Sequence, residues 1–205
     1  MAIPYADCDF SPMKQNLKDD LEKLVLRLQR SIQTLDEENH CMLGEIEGIK
    51  ENFLNIESRA SSFYLNCYLS PFTDKYTELS VSAQNLSKRR HGALIVVQRN
   101  DSLDGLIQPG VAIGAAVTQS LLESLFYPGT PLHDGAVLIK FNEIVSAKNI
   151  LPLSHIVQAE PKLGTRHRAA IGITELSDAI VLVVSEETGR VSFASKGYLY
   201  PIVPR

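Results

Sequence analysis

Three continuous apolar runs of strand length constrain the fold of this chain more than any other feature. Residues 93–97, 137–139 and 179–184 are almost entirely aliphatic and lack the polar alternation of a strand with one solvated face. The run at 93–97 predicts a buried central strand, and the other two runs predict further strands. Helical patterns separate them, so the sequence predicts an α/β fold with helices flanking the sheet.

Two pairs of apolar segments are joined by short polar turns. Residues 137–139 and 144–147 form one pair, and residues 179–184 and 191–194 form the other. Antiparallel strands can be joined by such turns, whereas parallel strands need a longer crossover. We therefore expect a mixed, largely antiparallel central sheet. Apolar spacing further predicts helices over residues 72–90, 113–126 and 166–176.

The first third of the chain carries two helical patterns with apolar steps of four and three residues. A polar break around Asn39 separates them, which predicts an N-terminal α-helical hairpin, and Ser70-Pro71 indicates a domain boundary between residues 1–70 and 71–205. Either the hairpin is a plain packed bundle, or it sets the oligomeric state. The residues expected to bury each other are Leu21, Val25, Leu28, Ile32 and Leu35 in the first pattern, and Met42, Ile46, Ile49, Phe53, Ile56, Ala60 and Phe63 in the second.

Composition narrows the possible functions. With 205 residues, a net charge of −4 and 44% hydrophobic residues, the chain has no broad basic surface for nucleic acid, and we expect none as a partner. No apolar run approaches the roughly 20 residues that a membrane span requires, and no leader pattern opens the chain. The three cysteines, Cys8, Cys41 and Cys67, lack paired spacing. We expect a cytoplasmic protein that does not enter a membrane.

The chemistry is concentrated in two motifs. In the first, Asp134, Gly135 and Ala136 precede an apolar strand, where a glycine lets a ligand approach the backbone. In the second, residues 164–170, Thr165 is expected to cap the N-terminus of a helix and is followed by Arg166, His167 and Arg168. Guanidinium groups and free backbone N–H groups at a helix start favour a phosphate. In isolation, Asp134 could be an ordinary turn residue and the basic run a solvated helix start.

Together with the SEET sequence at 185–188, these motifs resemble the nucleotide-binding core of the diadenylate cyclase family, over about residues 71–205. Within that family the chain is similar to the soluble, sporulation-associated type, which has N-terminal helices where the membrane-bound type has transmembrane segments. The resemblance implies a nucleotidyltransferase that condenses two ATP molecules into cyclic di-AMP and releases two pyrophosphates. A nucleotide-binding sensor without catalysis is the alternative.

The resemblance also implies roles for individual residues. Asp134 would orient or help deprotonate the attacking ribose 3′-hydroxyl, beside Gly135 and Ala136. His133 and Glu187 would hold a divalent cation, Mn²⁺ or Mg²⁺ with Co²⁺ as a further option. For Glu187, a solvated turn carboxylate is the alternative. ATP would contact Thr165, Arg166, His167, Arg168, Leu151 and Ser185. Ile150 replaces the aromatic residue that membrane-bound relatives place against adenine, so adenine must rely on apolar packing and backbone hydrogen bonds.

One pocket of this kind holds one ATP, whereas the reaction needs two ATP molecules in opposite orientation. Two catalytic domains must therefore meet face to face with two-fold symmetry. We expect a homo-oligomer, either this dimer or a larger assembly such as a hexamer, whose activity the N-terminal helices regulate.

Overall fold

A computed structural model describes residues 11–35, 42–155 and 163–202. The chain divides into two compact units, Met1–Tyr64 and Leu65–Arg205. In chain order the elements are α1 (Ser11–Gln33), α2 (Met42–Leu69), α3 (Tyr76–Arg89), β1 (Ala93–Gln98), β2 (Val111–Ala116), α4 (Gln119–Leu125), β3 (Ala136–Lys140), β4 (Glu143–Asn149), α5 (Thr165–Leu176), β5 (Ile180–Val184), β6 (Val191–Ser195) and β7 (Tyr198–Ile202).

The three apolar runs form the centre of one seven-stranded sheet, in the order β2-β4-β3-β1-β5-β6-β7. Strand β1 pairs parallel with β3 and antiparallel with β5, and every other pair in the sheet is antiparallel. The predicted mixed, largely antiparallel sheet is therefore confirmed, as are the hairpins β3–β4 and β5–β6.

Alternate residues of β1 face two separate apolar layers. Ile95 and Val97 join α3, α4 and the last turns of α2 on one face, where Leu65 and Leu69 are buried. Leu94 and Val96 join α5 on the other face. Because side chains alternate along a strand, a continuous apolar run is what a sheet covered on both faces requires.

Strands β2 and β7 were not predicted from the sequence. The helix expected from residue 113 begins only at Gln119, because residues 111–116 form β2 at the edge of the sheet. Their Ala- and Gly-rich sequence gives no clear period, and backbone pairing with β4 determines the outcome. Strand β7 pairs with β6 at the opposite edge. The loop expected over residues 152–164 is non-helical at 152–155 and 163–164, and the rest of it lies outside the described residues.

The first unit contains α1 and the greater part of α2, which lie antiparallel. Arg27 donates to Glu45 at 2.7 Å, and Arg59 pairs with Asp20. The predicted burial pattern holds only in part: Ile56 and Phe63 of α2 are buried as expected, at 8% and 5% exposure. In α1 it is wrong, because Val25 and Ile32 are 52% and 71% exposed, whereas Leu24, which the pattern does not include, is 9% exposed. The predicted turn at Asn39 lies outside the described residues.

Cys67 is buried, while Cys8 and Cys41 fall outside the described residues. Among the helices of residues 11–35, 42–155 and 163–202, none combines the length and apolar character needed to cross a membrane.

Candidate active site

The two sequence motifs meet at one end of the central strands, where β1 and β3 begin and β5 ends. We call this end of the strands the sheet edge of the site, as distinct from the outer strands β2 and β7. Ile95 lies opposite Val137 in the parallel pair β1–β3, and Ala93 lies opposite Val184 in the antiparallel pair β1–β5. The starts of β1 and β3 and the end of β5 therefore share one edge. Neighbouring strands are about 4.8 Å apart. Asp134, which precedes β3, and Ser185, which follows β5, consequently flank the start of β1.

The basic start of α5 lies at this same edge. A Cβ on Gly92, just before β1, would stand 2.5 Å from Nη1 of Arg166 and 3.1 Å from Cβ of Glu186. Arg166 Nη1 donates to Glu186 Oε2 at 2.8 Å. The Arg166 guanidinium thus packs over a glycine and pairs with the turn that follows β5. A carboxylate and a basic helix start, some thirty residues apart in the chain, are brought to one place.

The helix start differs in detail from the sequence-based interpretation. Gly164 is the N-cap residue of α5, no side chain caps the helix, and Thr165 is its first helical residue. The expected capping by Thr165 is therefore wrong. Backbone N–H groups in the first turn have no partner within their own helix, and the helix dipole adds partial positive charge. Both features favour an anion beside Thr165, which is solvent-exposed.

His167 and Arg168 complete the basic segment. Burial lowers the pKa of His167, and the nearby Glu187 carboxylate opposes that shift only in part. The imidazole is therefore neutral at pH 7. Arg168 is exposed, and its Nη2 donates to the Ser154 carbonyl at 3.3 Å. Arg166 Nε is buried and has no hydrogen-bond partner among the described residues.

The Asp134 segment has a backbone conformation that only glycine adopts readily. Gly135 has a φ of +119°, and a Cβ there would lie 2.8 Å from Lys148 Cα and 3.0 Å from the Asn149 carbonyl oxygen. Glycine is thus required at position 135 by the close contact with β4, in addition to the ligand approach expected from the sequence. Asp134 is exposed and Ala136 is buried in the core.

The two expected metal ligands lie at this edge on either side of β1. His133 Nδ1 contacts the Thr130 carbonyl oxygen, so a proton on Nδ1 leaves Nε2 free to bind a cation. Glu187 is exposed. The described residues contain no cluster of three or more His, Cys, Asp or Glu side chains suited to a metal ion. A divalent cation held by these two side chains would take its remaining ligands from water and nucleotide oxygens.

The other expected ATP contacts differ in accessibility. Ser185 Oγ accepts a hydrogen bond from the Thr188 N–H at 3.3 Å, which fixes the turn after β5. Leu151 is buried with the core residues beneath α5. Ile150 is 61% exposed, but its N–H and C=O are both bonded to Gln108. The Ile150 side chain is thus available to a base, whereas its backbone groups are already used.

Sequence analysis missed two residues that shape this edge. Glu186 holds Arg166, and the buried side chain of Asn149 bonds to the Ala136 carbonyl. An acidic pair in a turn and an asparagine at a strand end carry no distinguishing signal in one sequence. Only the fold brings them to their partners.

Two family models together match most of the chain. Residues 80–199 match the family model described as DisA bacterial checkpoint controller nucleotide-binding. Residues 5–72 match the model described as diadenylate cyclase CdaS, N-terminal.

Individual relatives match over nearly the full length. The chain is 50% identical to diadenylate cyclase CdaS of Bacillus thuringiensis (strain BMB171), covering 93% of this chain and 94% of the relative. It is 43% identical to cyclic di-AMP synthase CdaS of Bacillus subtilis (strain 168), covering 98% and 97%. A crystal structure from Bacillus cereus, described as a hypothetical membrane spanning protein, superposes with a TM-score of 0.81 at 50% identity, covering 94% of this chain and 95% of that one.

Proposed function

The chain belongs to the diadenylate cyclase family, and on that premise we propose that it condenses two ATP molecules into cyclic di-AMP and two pyrophosphates. The observation that carries this proposal is the meeting of Asp134 with the basic start of α5 at one edge of the sheet. This enzyme is a nucleotidyltransferase in which each ribose 3′-hydroxyl attacks the α-phosphate of the other ATP. The bond from that phosphorus to the pyrophosphate breaks as the new ester forms.

Most of the catalytic effect in such a transfer comes from placement and charge neutralisation. The N–H groups from Thr165 onward, with Arg166 and Arg168, bind the triphosphate. Glu186 holds the Arg166 guanidinium at the sheet edge before substrate arrives, so less side-chain freedom is lost on binding. His167 is neutral and offers a hydrogen bond to a phosphate oxygen. Ser185 lies beside this site, and Leu151 supports the floor of the adenine pocket.

Asp134 orients the ribose 3′-hydroxyl and accepts its proton. It is exposed at the sheet edge, and the Gly135 conformation sets its direction. His133 and Glu187 would hold the divalent cation, with Mn²⁺ or Mg²⁺ preferred and Co²⁺ compatible with a histidine ligand. When bound there, a cation neutralises phosphate charge and makes the attacking hydroxyl more acidic. Ala136 is buried and anchors the motif to the core.

Two catalytic units meet face to face about a two-fold axis, because one such edge holds one ATP and the product needs two. The N-terminal helices hold these units in a homo-oligomer, a dimer or a larger assembly such as a hexamer, and regulate its activity. We assign the regulatory part to residues 1–70 and the catalytic part to residues 71–205. We place the protein in the cytoplasm, because its three cysteines lack the paired spacing of a disulfide framework.

The regulatory role can be tested by truncation. Leu65 and Leu69 are buried in the core of the second unit, so a deletion should stop near residue 60 to leave that core intact. The truncated protein should change both its specific activity and the number of subunits per oligomer, which is obtained from the solution mass. Unchanged values of both would reject the regulatory role.

The activity is tested by incubating the protein with ATP and Mn²⁺ or Mg²⁺ and measuring product mass and pyrophosphate. The wild type should form cyclic di-AMP. Asp134→Asn, which keeps the size of the side chain, should lower turnover at least about 100-fold while ATP binding persists. Nucleotide binding by the wild type without product would favour the sensor alternative and reject catalysis.

A further inference from the structure

The side chain of Asn149 joins three segments of the chain beside the Asp134 motif. It is 2% exposed. Its Oδ1 accepts hydrogen bonds from the Gly110 N–H at 3.0 Å and from Ser146 Oγ at 2.9 Å. Its Nδ2 donates to the Ala136 carbonyl oxygen at 2.8 Å. Every polar atom of the amide therefore has a partner, as a buried side chain requires.

The partners determine which way the amide faces. The Gly110 N–H can only donate, so the atom facing it must be the carbonyl oxygen. The Ala136 carbonyl can only accept, so the atom facing it must be the NH₂ group. In a flipped amide the NH₂ group would face the Gly110 N–H, and the carbonyl oxygen would face the Ala136 carbonyl oxygen. Neither pair can form a hydrogen bond. The orientation is thus fixed by chemistry, and the donor is directed at the Asp134-Gly135-Ala136 segment.

The segment needs this support because the strand pairing is irregular there. Ala136 pairs with Asn149 and Leu138 pairs with Ser146, so β4 carries one extra residue at this point. Lys148 within that bulge has a φ of +59°, and Gly135 across from it has a φ of +119°. Bulges re-aim side chains and interrupt the regular ladder of backbone bonds. The Asn149 donor fastens Ala136 at this interruption, two residues from Asp134.

We propose that Asn149 is a positioning residue that fixes the Asp134 carboxylate by holding the Ala136 carbonyl against the β4 bulge. This inference rests on the proposed function, because it assigns Asp134 the task of orienting the attacking hydroxyl. Asn149 does not touch substrate. The proposed phosphate-binding residues belong to α5 and the β5–β6 turn. None of the three hydrogen bonds of the Asn149 side chain reaches either segment. Its loss therefore affects the chemical step more than ATP binding.

The decisive variant is Asn149→Asp in the full-length protein. The substitution preserves shape and the acceptor for Gly110 and Ser146, but it replaces the donor to Ala136 with an oxygen that repels the carbonyl. We expect kcat for cyclic di-AMP formation to fall about 10- to 100-fold, as a misplaced catalytic group does. The Kd for 3′-deoxy-ATP, which binds but cannot attack, should change by less than about threefold.

Asn142 provides a matched control in the same β-hairpin. Its Oδ1 accepts from Thr73 Oγ1 at 2.9 Å and from the Asp74 N–H at 3.2 Å, at the opposite end of β3 and β4. Asn142→Asp introduces the same charge and keeps these acceptor contacts. It should leave kcat within about twofold of wild type. The thermal stability of all variants is measured in parallel.

Each outcome decides the inference. A large loss of kcat in Asn149→Asp alone, with nucleotide binding retained, supports it. Loss of kcat by less than about threefold, an equal loss in Asn142→Asp, or a matching loss of nucleotide binding overturns it. Asn149→Ala provides a second variant, and failure of both Asn149 variants to fold would make the residue a general structural support and overturn the inference too. A wild type that makes no product would instead refute the proposed function on which it rests.

Discussion

Arg166 is held on two sides before any nucleotide binds. Gly92 leaves room for its guanidinium, and Glu186 pairs with it at 2.8 Å, yet its Nε has no partner within the described residues. A charged donor that is positioned but incompletely bonded can gain a phosphate contact at low entropic cost. We therefore assign Gly92 to the proposed nucleotide site, although it carries no functional group.

Replacing Gly92 with alanine should weaken ATP binding without unfolding the protein. The new Cβ would meet the flexible end of Arg166 rather than backbone, so the guanidinium moves away. We expect the Kd for 3′-deoxy-ATP to rise about 10-fold, the value of one charge-assisted hydrogen bond. In an Arg166→Ala background the same substitution should have no further effect. Equal effects in both backgrounds would show that Gly92 acts independently of Arg166.

The lowered pKa of His167 predicts a pH-dependent stability. Histidine in the unfolded chain has a pKa near 6.5, whereas the pKa of folded His167 is lower. As pH falls, the unfolded state binds the proton first, so stability is lost from about pH 6.5 down to the lower folded pKa. The contribution is at most about 1.4 kcal/mol per pH unit. Urea unfolding at pH 7.5, 6.5 and 5.5 should show a smaller loss in His167→Gln than in wild type. Identical pH dependence in the two proteins would contradict this.

At this scale, sequence could identify the groups but not what holds them. Asp134 and Arg166 stand out because charged residues beside glycines and at a helix start have recognisable chemistry. Glu186 and Asn149 do not, since their contacts with Arg166 and Ala136 join residues 20 and 13 positions apart. The N-cap was misplaced by one residue because threonine caps helices well but also tolerates the first helical position.

The helices of the first unit show why an apolar period alone did not predict their packing. The spacing of Val25 and Ile32 correctly places them on one face of α1, but that face is exposed. The face that packs contains Leu24, Arg27 and Ser31, and the last two both contact Glu45. A period shows which residues share a face, whereas a specific ion pair decides which face meets the neighbouring helix.

Two glycines one turn apart in α2 provide a test of this packing. A Cβ on Gly44 meets nothing within 4 Å, whereas a Cβ on Gly48 would lie 2.3 Å from Nη2 of Arg27. Gly44→Ala should stabilise α2 by about 0.5–1 kcal/mol, the difference in helix propensity. Gly48→Ala should gain less, because it displaces the guanidinium that pairs with Glu45. Amide hydrogen exchange in α2 measures both, and equal protection in the two variants would contradict the assignment of the packed face.

The sheet illustrates the opposite case, in which local sequence was sufficient at the centre and failed at the edges. Buried strands β1, β3 and β5 are long aliphatic runs, and their burial is decided by their own composition. All six residues of strand β2 are exposed or half-exposed, and four of them are alanine or glycine, so the sequence shows no apolar alternation there. Its structure depends on hydrogen bonds offered by β4, which no local pattern reports.

For the whole molecule, the proposed two-fold arrangement of catalytic units predicts that activity depends on protein concentration. In that arrangement one sheet edge binds one ATP, so a separated unit would bind nucleotide but could not complete the cycle. Specific activity should fall on dilution at the concentration where sedimentation shows dissociation. 3′-Deoxy-ATP binding should persist there as the control. Undiminished specific activity in a demonstrably monomeric sample would reject the face-to-face mechanism.

The central claim is that each ATP supplies both a hydroxyl and a phosphate to its mate, with Asp134 and the α5 start acting on the same nucleotide. The most direct test compares ATP, 3′-deoxy-ATP and an equal mixture of the two, with product mass and pyrophosphate measured together. ATP should release one pyrophosphate per molecule consumed and form only cyclic di-AMP. 3′-Deoxy-ATP alone should release none, and the mixture should add a linear dinucleotide that retains one triphosphate. Pyrophosphate release from 3′-deoxy-ATP alone at a rate near that of ATP would contradict the claim, because it would show attack by a nucleophile other than the ribose 3′-hydroxyl.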